Sequence, residues 1–357
     1  MAGCAEPRRA SASPLHSHGV AGGARWVPRL VRSHFLGESR DTQGASNATF
    51  PRLSSLPSDS LATLTVIGDV HRWWRNADSI FLERTRPDLA LFVGDLGDED
   101  VEIARLVAAL PVPKAVILGN HDAWQSFGRK GSTQKLREVL AAFGEDHIAY
   151  AVREVPDAGL SVIGARPFSW GGPSLRSPEL YDEIYGIHTM RQSAAAIVDA
   201  ARNAQHRDLV ILAHNGPMGL GGETSDIFGK DFGKPGGDWG DRDLALALQR
   251  IEGFGLRVRA VIAGHMHHRV VHPRGAERTR FVRRGDTLFL NTAYVPRVRQ
   301  TDDGDELSYF VRTQWRAGEC VAIEEVWVDI HGDEREVNVP KFVEIAGLAP
   351  VVDETQE

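Results

Sequence analysis

Two cysteines, Cys4 and Cys320, are all the thiols in the 357-residue chain. That excludes a disulfide framework and any cysteine-built zinc module, and it fits a reducing compartment. No apolar run reaches bilayer length, and the longest are strand-sized, so no membrane partner is expected. Cations are also in deficit: the formal net charge is −7. The charge is unevenly spread. Residues 1–58 hold seven arginines, no lysine and three acids, a balance of +4 that leaves −11 for the remainder. An acidic body lacks the basic face that displaces counterions from a phosphate backbone, so no stable nucleic-acid partner is expected.

Residues 1–58 lack helical or strand periodicity and are rich in Ala, Gly, Ser, Pro and Arg. An organelle transit peptide has this composition; a disordered extension or a mis-assigned gene start would share it. The folded body is expected over 59–331, followed by a loosely ordered tail at 332–357.

Within the body, strand-like runs recur at 61–71, 89–95, 114–120, 159–165, 208–216, 259–265 and 287–293. Most are continuous Val/Ile/Leu stretches, as in strands covered on both faces. Helical patterns lie between several of them, at 99–110, 133–143 and 189–204. The alternation predicts an α/β fold. Residues 306–330 read as two further strands joined through Ala317, Gly318 and Glu319. The glycine-rich segment 215–241 is long for a connection and follows a strand-end histidine, so it reads as an active-site rim, with a floppy surface excursion as the alternative.

Five of the apolar strands end in a small residue and then present Asp, Asn or His. IGDVH carries Asp69 and His71; FVGDLGD carries Asp95 and Asp98; VILGNHD carries Asn120, His121 and Asp122; VILAHNG carries His214; VIAGHMHH carries His265, His267 and His268. Any one of these could be a helix cap or turn former. Capping does not call for histidine, and the carboxyl ends of strands in α/β sheets converge on one crevice. The set holds carboxylate, imidazole and amide but no thiolate, which suits Mn²⁺, Fe or Zn²⁺. Asp69, His71, Asp95, Asn120, His214, His265 and His267 are too many for one tetrahedral ion and enough for two that share a carboxylate. Two divalent ions ~3.5–4 Å apart generate hydroxide at neutral pH and clamp an in-line displacement. Their charge exceeds that of two aspartates, so a phosphate anion is the expected guest.

D-x-H, G-D-x-x-D, G-N-H-D, a lone His and G-H-x-H, in this order over residues 69–267, resemble the calcineurin-like metallophosphoesterases. The resemblance implies a four-layer α/β/β/α sandwich of two mixed sheets with a dimetal site at the strand ends. It implies one ion on Asp69, His71, Asp95 and His267, and a second on Asp95, Asn120, His214 and His265, with Asp95 bridging. His121 would protonate the leaving oxygen, oriented by Asp98, while a hydroxide bridging the ions attacks phosphorus. Further stretches, such as RPFSWGG and LAHNGPMGLG, are similar to a poorly characterised cyanobacterial and plant-plastid branch, which implies a plastid address if 1–58 is a transit peptide and a cytoplasmic one otherwise. The Arg-Gly that follows G-D-x-x-D in the Ser/Thr protein phosphatases is replaced by Glu99 and Asp100, which weakens that reading.

Secondary candidates are Arg166, which with Asn120 could contact the substrate phosphate, and Phe168 and Trp170, which could stack a ring or simply pack inward. Asp98 could cap the next helix instead of orienting His121, and Asp238 and Asp241 are expected to cap a helix at 241–251. The arginine-rich run 267–284 suits a phosphate-rich substrate or a solvated hairpin; His268 and His272 are not expected as ligands. The expected activity is hydrolysis of a small phosphoester. A nucleotide diesterase or nuclease and a non-catalytic metal-binding scaffold are the alternatives.

Overall fold

The computed structural model describes residues 60–129 and 131–336. The transit-peptide expectation for 1–58 and most of the expected tail lie outside these residues. The order of elements is β1 (Ala62–Ile67), α1 (Asn76–Thr85), β2 (Leu89–Phe92), α2 (Val101–Ala108), β3 (Lys114–Val116), α3 (Trp124–Phe127), α4 (Gln134–Phe143), β4 (Val152–Val155), β5 (Leu160–Gly164), α5 (Pro178–Tyr185), α6 (Met190–Arg202), β6 (Asp208–Leu212), α7 (Arg242–Glu252), β7 (Arg257–Ala263), β8 (Phe281–Arg284), β9 (Thr287–Asn291), β10 (Val298–Gln300), β11 (Glu306–Arg316), β12 (Glu319–Val328) and β13 (Glu334–Arg335).

Two mixed sheets form. The first runs β13-β12-β11-β1-β2-β3, with β10 also on β11; the second runs β4-β5-β6-β7-β9-β8. The central pairs β1/β2, β2/β3, β5/β6, β6/β7 and β7/β9 are parallel. The unbroken apolar runs follow from burial on both faces. Along β2, Leu89 and Leu91 enter the core between the sheets while Ala90 and Phe92 meet helices. Along β6, Val210 and Leu212 face the other sheet and Leu209 and Ile211 face helices. Each such large side chain contributes about 1.5–3 kcal/mol by leaving water.

Helices cover both outer faces, which completes the four expected layers. α2 sends Ile103, Ala104 and Val107, and α4 sends Leu136, Val139, Leu140 and Phe143, against the first sheet. α6 sends Ala194, Ile197 and Ala201, and α7 sends Leu244, Ala247 and Ile251, against the second. Caps start the helices where short polar residues stand. Asp100 accepts from the N–H groups of Glu102 and Ile103, Thr133 from Leu136 and Thr189 from Gln192. The β11–β12 hairpin turns on Ala317 and Gly318, at φ 50° and 81°, a two-residue turn whose twist matches the strands. β13 pairs with β12 at Trp327↔Arg335 and Val328↔Glu334, so the sheet continues past the expected boundary at 331.

The segment 215–241 is an ordered loop. Its backbone closes on itself through Asp241 N–H to Gly216 O (2.7 Å), Gly237 N–H to Gly222 O (2.7 Å) and Trp239 N–H to Phe228 O (2.9 Å). Buried Arg278, from the arginine-rich run, donates to the carbonyls of Asp226 (2.8 Å) and Gly229 (2.7 Å) and pairs with Asp231 at 3.1 Å. That run serves in part as the loop's anchor, which neither sequence reading of it anticipated.

Candidate metal centre

The carboxyl ends of β1, β2, β3, β6 and β7 meet where the two sheets adjoin. The backbone there is unusual: Asp69, His71, Asp95, Asp98 and His265 all have positive φ, between 28° and 68°. Non-glycine residues hold such angles at a cost of about 1–3 kcal/mol each, and sites of function are where they collect. Cross-links between strand ends hold them. The His71 N–H donates to Asp95 O at 2.7 Å, and the His265 N–H donates to the Asp69 carboxylate at 3.0 and 3.2 Å. The His121 N–H donates to Asp95 Oδ1 at 2.8 Å. Gly264 must lack a side chain, because a Cβ there would lie 2.1 Å from Asp69 Oδ2.

Donor atoms gather in three overlapping groups: Asp69, His71 and His267; His71, Asp95 and His121; Asp95, His214 and His265. Within each group the atoms lie within 4.8 Å of one another. Asp95 joins them, with Oδ2 3.7 Å from His71 Nε2 and Oδ1 3.4 Å from His214 Nε2. His214 Nδ1 lies 2.7 Å from Val93 O. A carbonyl only accepts, so the proton sits on Nδ1 and Nε2 presents its lone pair. Asn120 Oδ1 stands 2.9 Å from that lone pair, and the Nε2 atoms of His71 and His267 face each other at 3.2 Å. Acceptors crowded together in this way fit cations.

The ionisation states agree. Burial lowers the pKa of His71, His214 and His265 and brings His267 to about 4, against the opposing charge of Asp95, so burial favours the neutral imidazole with a lone pair free for a cation. Burial raises Asp95, but His214, His71, His121 and His265 outweigh it and hold the carboxyl at about 2. Burial, then the charge of Asp95, pushes Asp69 well above the carboxylate range. Cations between the two acids would relieve that strain.

His121 is turned toward Asp98, with Nδ1 2.9 Å from Oδ1. The helix-cap alternative for Asp98 is not taken, since Asp100 caps α2. Asp122, the third polar residue of VILGNHD, is buried and accepts from the N–H groups of Gly119 (2.8 Å) and Gly97 (3.0 Å). It ties the loops after β2 and β3 together. Burial and Asp95 raise its pKa to about 7. Glu99 is buried too, accepting from Ser126 N–H (2.7 Å) and Oγ (2.9 Å) and from the Thr133 hydroxyl, so the position of the phosphatase arginine holds a structural acid.

Arg166 is a correction. Its side chain is 1% exposed, Nη2 lies 2.7 Å from Asp241 and Nε 2.8 Å from Asp243. A guanidinium spent on two buried carboxylates is not offered to a substrate. Asp241 is corrected with it. It occupies the N-cap position of α7 but makes no side-chain cap bond, because its carboxylate accepts from Arg166 and, at 2.6 Å, from Ser169 Oγ. Asp238 also leaves the helix uncapped, accepting from the N–H groups of Gly219 (2.6 Å) and Gly240 (2.9 Å). His268 stacks on Tyr294 at 3.8 Å, and its Nδ1 accepts from Val295 N–H, as a non-ligand should.

The cleft over these groups encloses ≈360 Å³ and is lined by Asp95, Asn120, His121, His265 and His267. Its remaining walls include Trp124, Trp170, Arg176, Phe232, Trp239 and Arg269. Of these, Trp170 was singled out from the sequence, Arg269 falls in the arginine-rich run, and Trp124 and Arg176 carried no sequence-based expectation. The loop 215–241 supplies Asp231, Phe232 and Trp239, as its reading as a rim anticipates. Phe168 is packed inward, with no exposure, whereas Trp170 reaches the cleft.

The family model described as Calcineurin-like phosphoesterase matches residues 62–269. Among solved structures, a hypothetical protein from Thermus thermophilus is similar at 15% identity over 75% of this chain and 99% of that one, with a TM-score of 0.42. A dimetal phosphatase from Danio rerio is similar at 12% identity over 76% of this chain and 100% of that one, with a TM-score of 0.35. No curated protein gives a significant match.

Proposed function

The chain belongs to the calcineurin-like phosphoesterase family, and from that premise we propose that it hydrolyses a small phosphoester with the help of two divalent cations. The carrying observation is the fusion of the three Asp/His groups through Asp95 and His71, at a cleft whose wall includes Asp95, His121, His265 and His267. Asp69, His71, Asp95 and His267 would hold one ion; Asp95, Asn120, His214 and His265 would hold the other. The thiolate-free donor set suits Mn²⁺, Fe or Zn²⁺. When bound, the ions supply an acidified water and neutralise charge on the phosphoryl oxygens.

The chain's own residues do the rest. Asp98 accepts from His121 Nδ1 and so aims Nε2 outward, where as a general acid it gives its proton to the leaving oxygen. The Asn120 amide lines the cleft, where it would help to orient the phosphoryl group. Asp122 holds the Gly97 and Gly119 amides, which keeps Asp98 and Asn120 in register.

The test pairs turnover of aryl phosphate monoesters and diesters with metal content on the same sample. His121→Ala should lower kcat about 10²–10⁴-fold and keep its metal. Asp95→Asn should lose both. Full metal and full activity in Asp95→Asn would remove the bridging assignment. A metal-loaded wild type that turns over neither ester class would instead be a scaffold.

A further inference from the structure

Two side chains at the cleft rim are exposed where exposure is unfavourable. Trp124 is 48% exposed and Phe232 39% exposed, and both line the cleft that holds Asp95, Asn120, His121, His265 and His267. Their aromatic neighbours have structural work. Trp239 donates its indole N–H to Trp170 O at 2.8 Å. A Cβ on Gly171 or Gly172 would meet the Trp239 ring at 2.5 or 3.1 Å, so this segment is shaped around that indole. Trp170 is covered by Arg176 at 3.9 Å and touched at its edge by Phe127. Trp124 differs. It stacks on the His121 ring, centroids 4.8 Å apart and 20° from parallel, and leans on Trp170 at 5.2 Å, yet half its surface stays open. It therefore presents open aromatic surface within one ring of the proposed general acid.

The charge around these rings favours an anion. Arg176 and Arg269 are exposed on the cleft wall, and neither pairs with a carboxylate among the described residues. Of the two acids lining the cleft, Asp95 belongs to the proposed metal centre, and Asp231 is already satisfied by Arg278 at 3.1 Å and by the Val271 N–H at 2.7 Å. A cleft of ≈360 Å³ lies at the low end of the ~300–1,000 Å³ that small-molecule sites span. It suits one ring system with its phosphate rather than a polymer.

We propose, building on the phosphoesterase reading, that the substrate's leaving group carries a planar aromatic ring, about one nucleobase in size, which packs against Trp124 and Phe232. Such a ring would cover the open surface of the two side chains, and the two guanidiniums would favour the approach of the anionic substrate that carries it. Trp124 and Phe232 are then specificity residues, selecting among phosphoesters that the metal centre would otherwise treat alike.

Two matched pairs test this. Adenosine 5′-monophosphate against ribose 5-phosphate replaces the base by an anomeric hydroxyl; benzyl phosphate against cyclohexylmethyl phosphate replaces a planar aromatic ring by a saturated one of similar size. The metal-loaded full chain should prefer the ring-bearing member in kcat/KM, by about tenfold in the first pair and about two- to tenfold in the second, where only the aromatic contact differs. Preference in both pairs indicates any aromatic ring; preference in the first alone indicates a base on a sugar. In Trp124→Leu and Phe232→Leu, checked for native circular dichroism and metal content, the ratio should fall toward one. Equal kcat/KM within both pairs, or ratios untouched in both variants, would overturn the proposal and leave the phosphoesterase reading intact. If nothing is hydrolysed, quenching of tryptophan fluorescence decides separately. Saturable quenching by adenosine 5′-monophosphate but not ribose 5-phosphate, weakened in Phe232→Leu, would sustain the ring site while hydrolysis fails; no quenching would end both.

Discussion

His147 is kept neutral by its surroundings. Nδ1 lies 3.2 Å from Val116 O and Nε2 lies 2.8 Å from Tyr185 Oη. The carbonyl accepts from Nδ1–H, so Nε2 accepts from the tyrosine hydroxyl, and a second proton would have to reverse that bond inside a buried pocket. Burial lowers the pKa from 6.5 to about 4, with the Val116 bond opposing in part. Between those values the unfolded chain binds a proton that the folded chain refuses. The stability contribution is therefore complete above pH 6.5 and is lost as pH falls toward 4. At most about 1.4 kcal/mol per pH unit is involved. Urea unfolding of His147→Gln between pH 4.5 and 6 should show a shallower loss of stability than wild type, by about 1 kcal/mol per pH unit. Equal slopes would mean that the imidazole takes its proton inside the fold. VILGNHD shows the same dependence of role on surroundings: Asn120 faces a histidine lone pair, His121 faces Asp98, and Asp122 turns away to hold two backbone amides.

Strand ends, not strands, are the delicate elements. The loops after β2 and β3 touch at Gly94 and Gly119. A Cβ on Gly119 would lie 2.3 Å from Asp95 Oδ1 and 2.5 Å from His214 Cε1. Gly119→Ala should therefore cut bound metal severalfold and cost on the order of 1–3 kcal/mol, the usual range for overpacking. Gly128→Ala is its control, with the nearest atom 3.8 Å away and an ordinary φ of −77°. Mass-spectrometric metal counts on both variants decide the matter. The connection from β5 and the start of α7 are joined differently, through Arg166 with Asp241 and Asp243. Arg166→Met would strand two buried carboxylates and should destabilise by about 3–5 kcal/mol in urea unfolding. A loss under about 1 kcal/mol would show that solvent reaches the acids.

At the scale of the whole molecule, the site is a seam. Asp69, His71, Asp95, Asn120 and His121 follow strands of the first sheet; His214, His265 and His267 follow strands of the second. The contact of His214 Nδ1 with Val93 O crosses between the sheets. Ions bound here would join both sheets, so binding should stabilise the global fold. Restoring Mn²⁺ to chelator-stripped protein at about 100 times its Kd should add about 2.7 kcal/mol, read as a rise of a few degrees in Tm. Asp95→Asn should show no such rise, and a wild type indifferent to metal would argue against ions at the seam.

Much of this was legible in the chain alone. Parallel strands buried on both faces must be apolar throughout, and their carboxyl ends must emerge on one side, so the order of Asp, His and Asn after five such runs was enough to expect a shared centre. The short edge strands β4, β8, β10 and β13 left no comparable trace, because their half-exposed residues obey pairing rather than a buried period. The fates of Arg166 and Asp241 were equally hidden: local pattern reads each as a phosphate contact or a cap, and only the packing of segments 75 residues apart pairs them. The aromatic rim is of the same kind. Trp124, Phe232 and Trp239 lie in segments without periodicity, and their neighbours are chosen by tertiary contacts. What the sequence by itself determined was the chemistry at each strand end; what only the folded structure decided was which charges neutralise one another and which faces stay open, since both depend on distances that chain order does not encode.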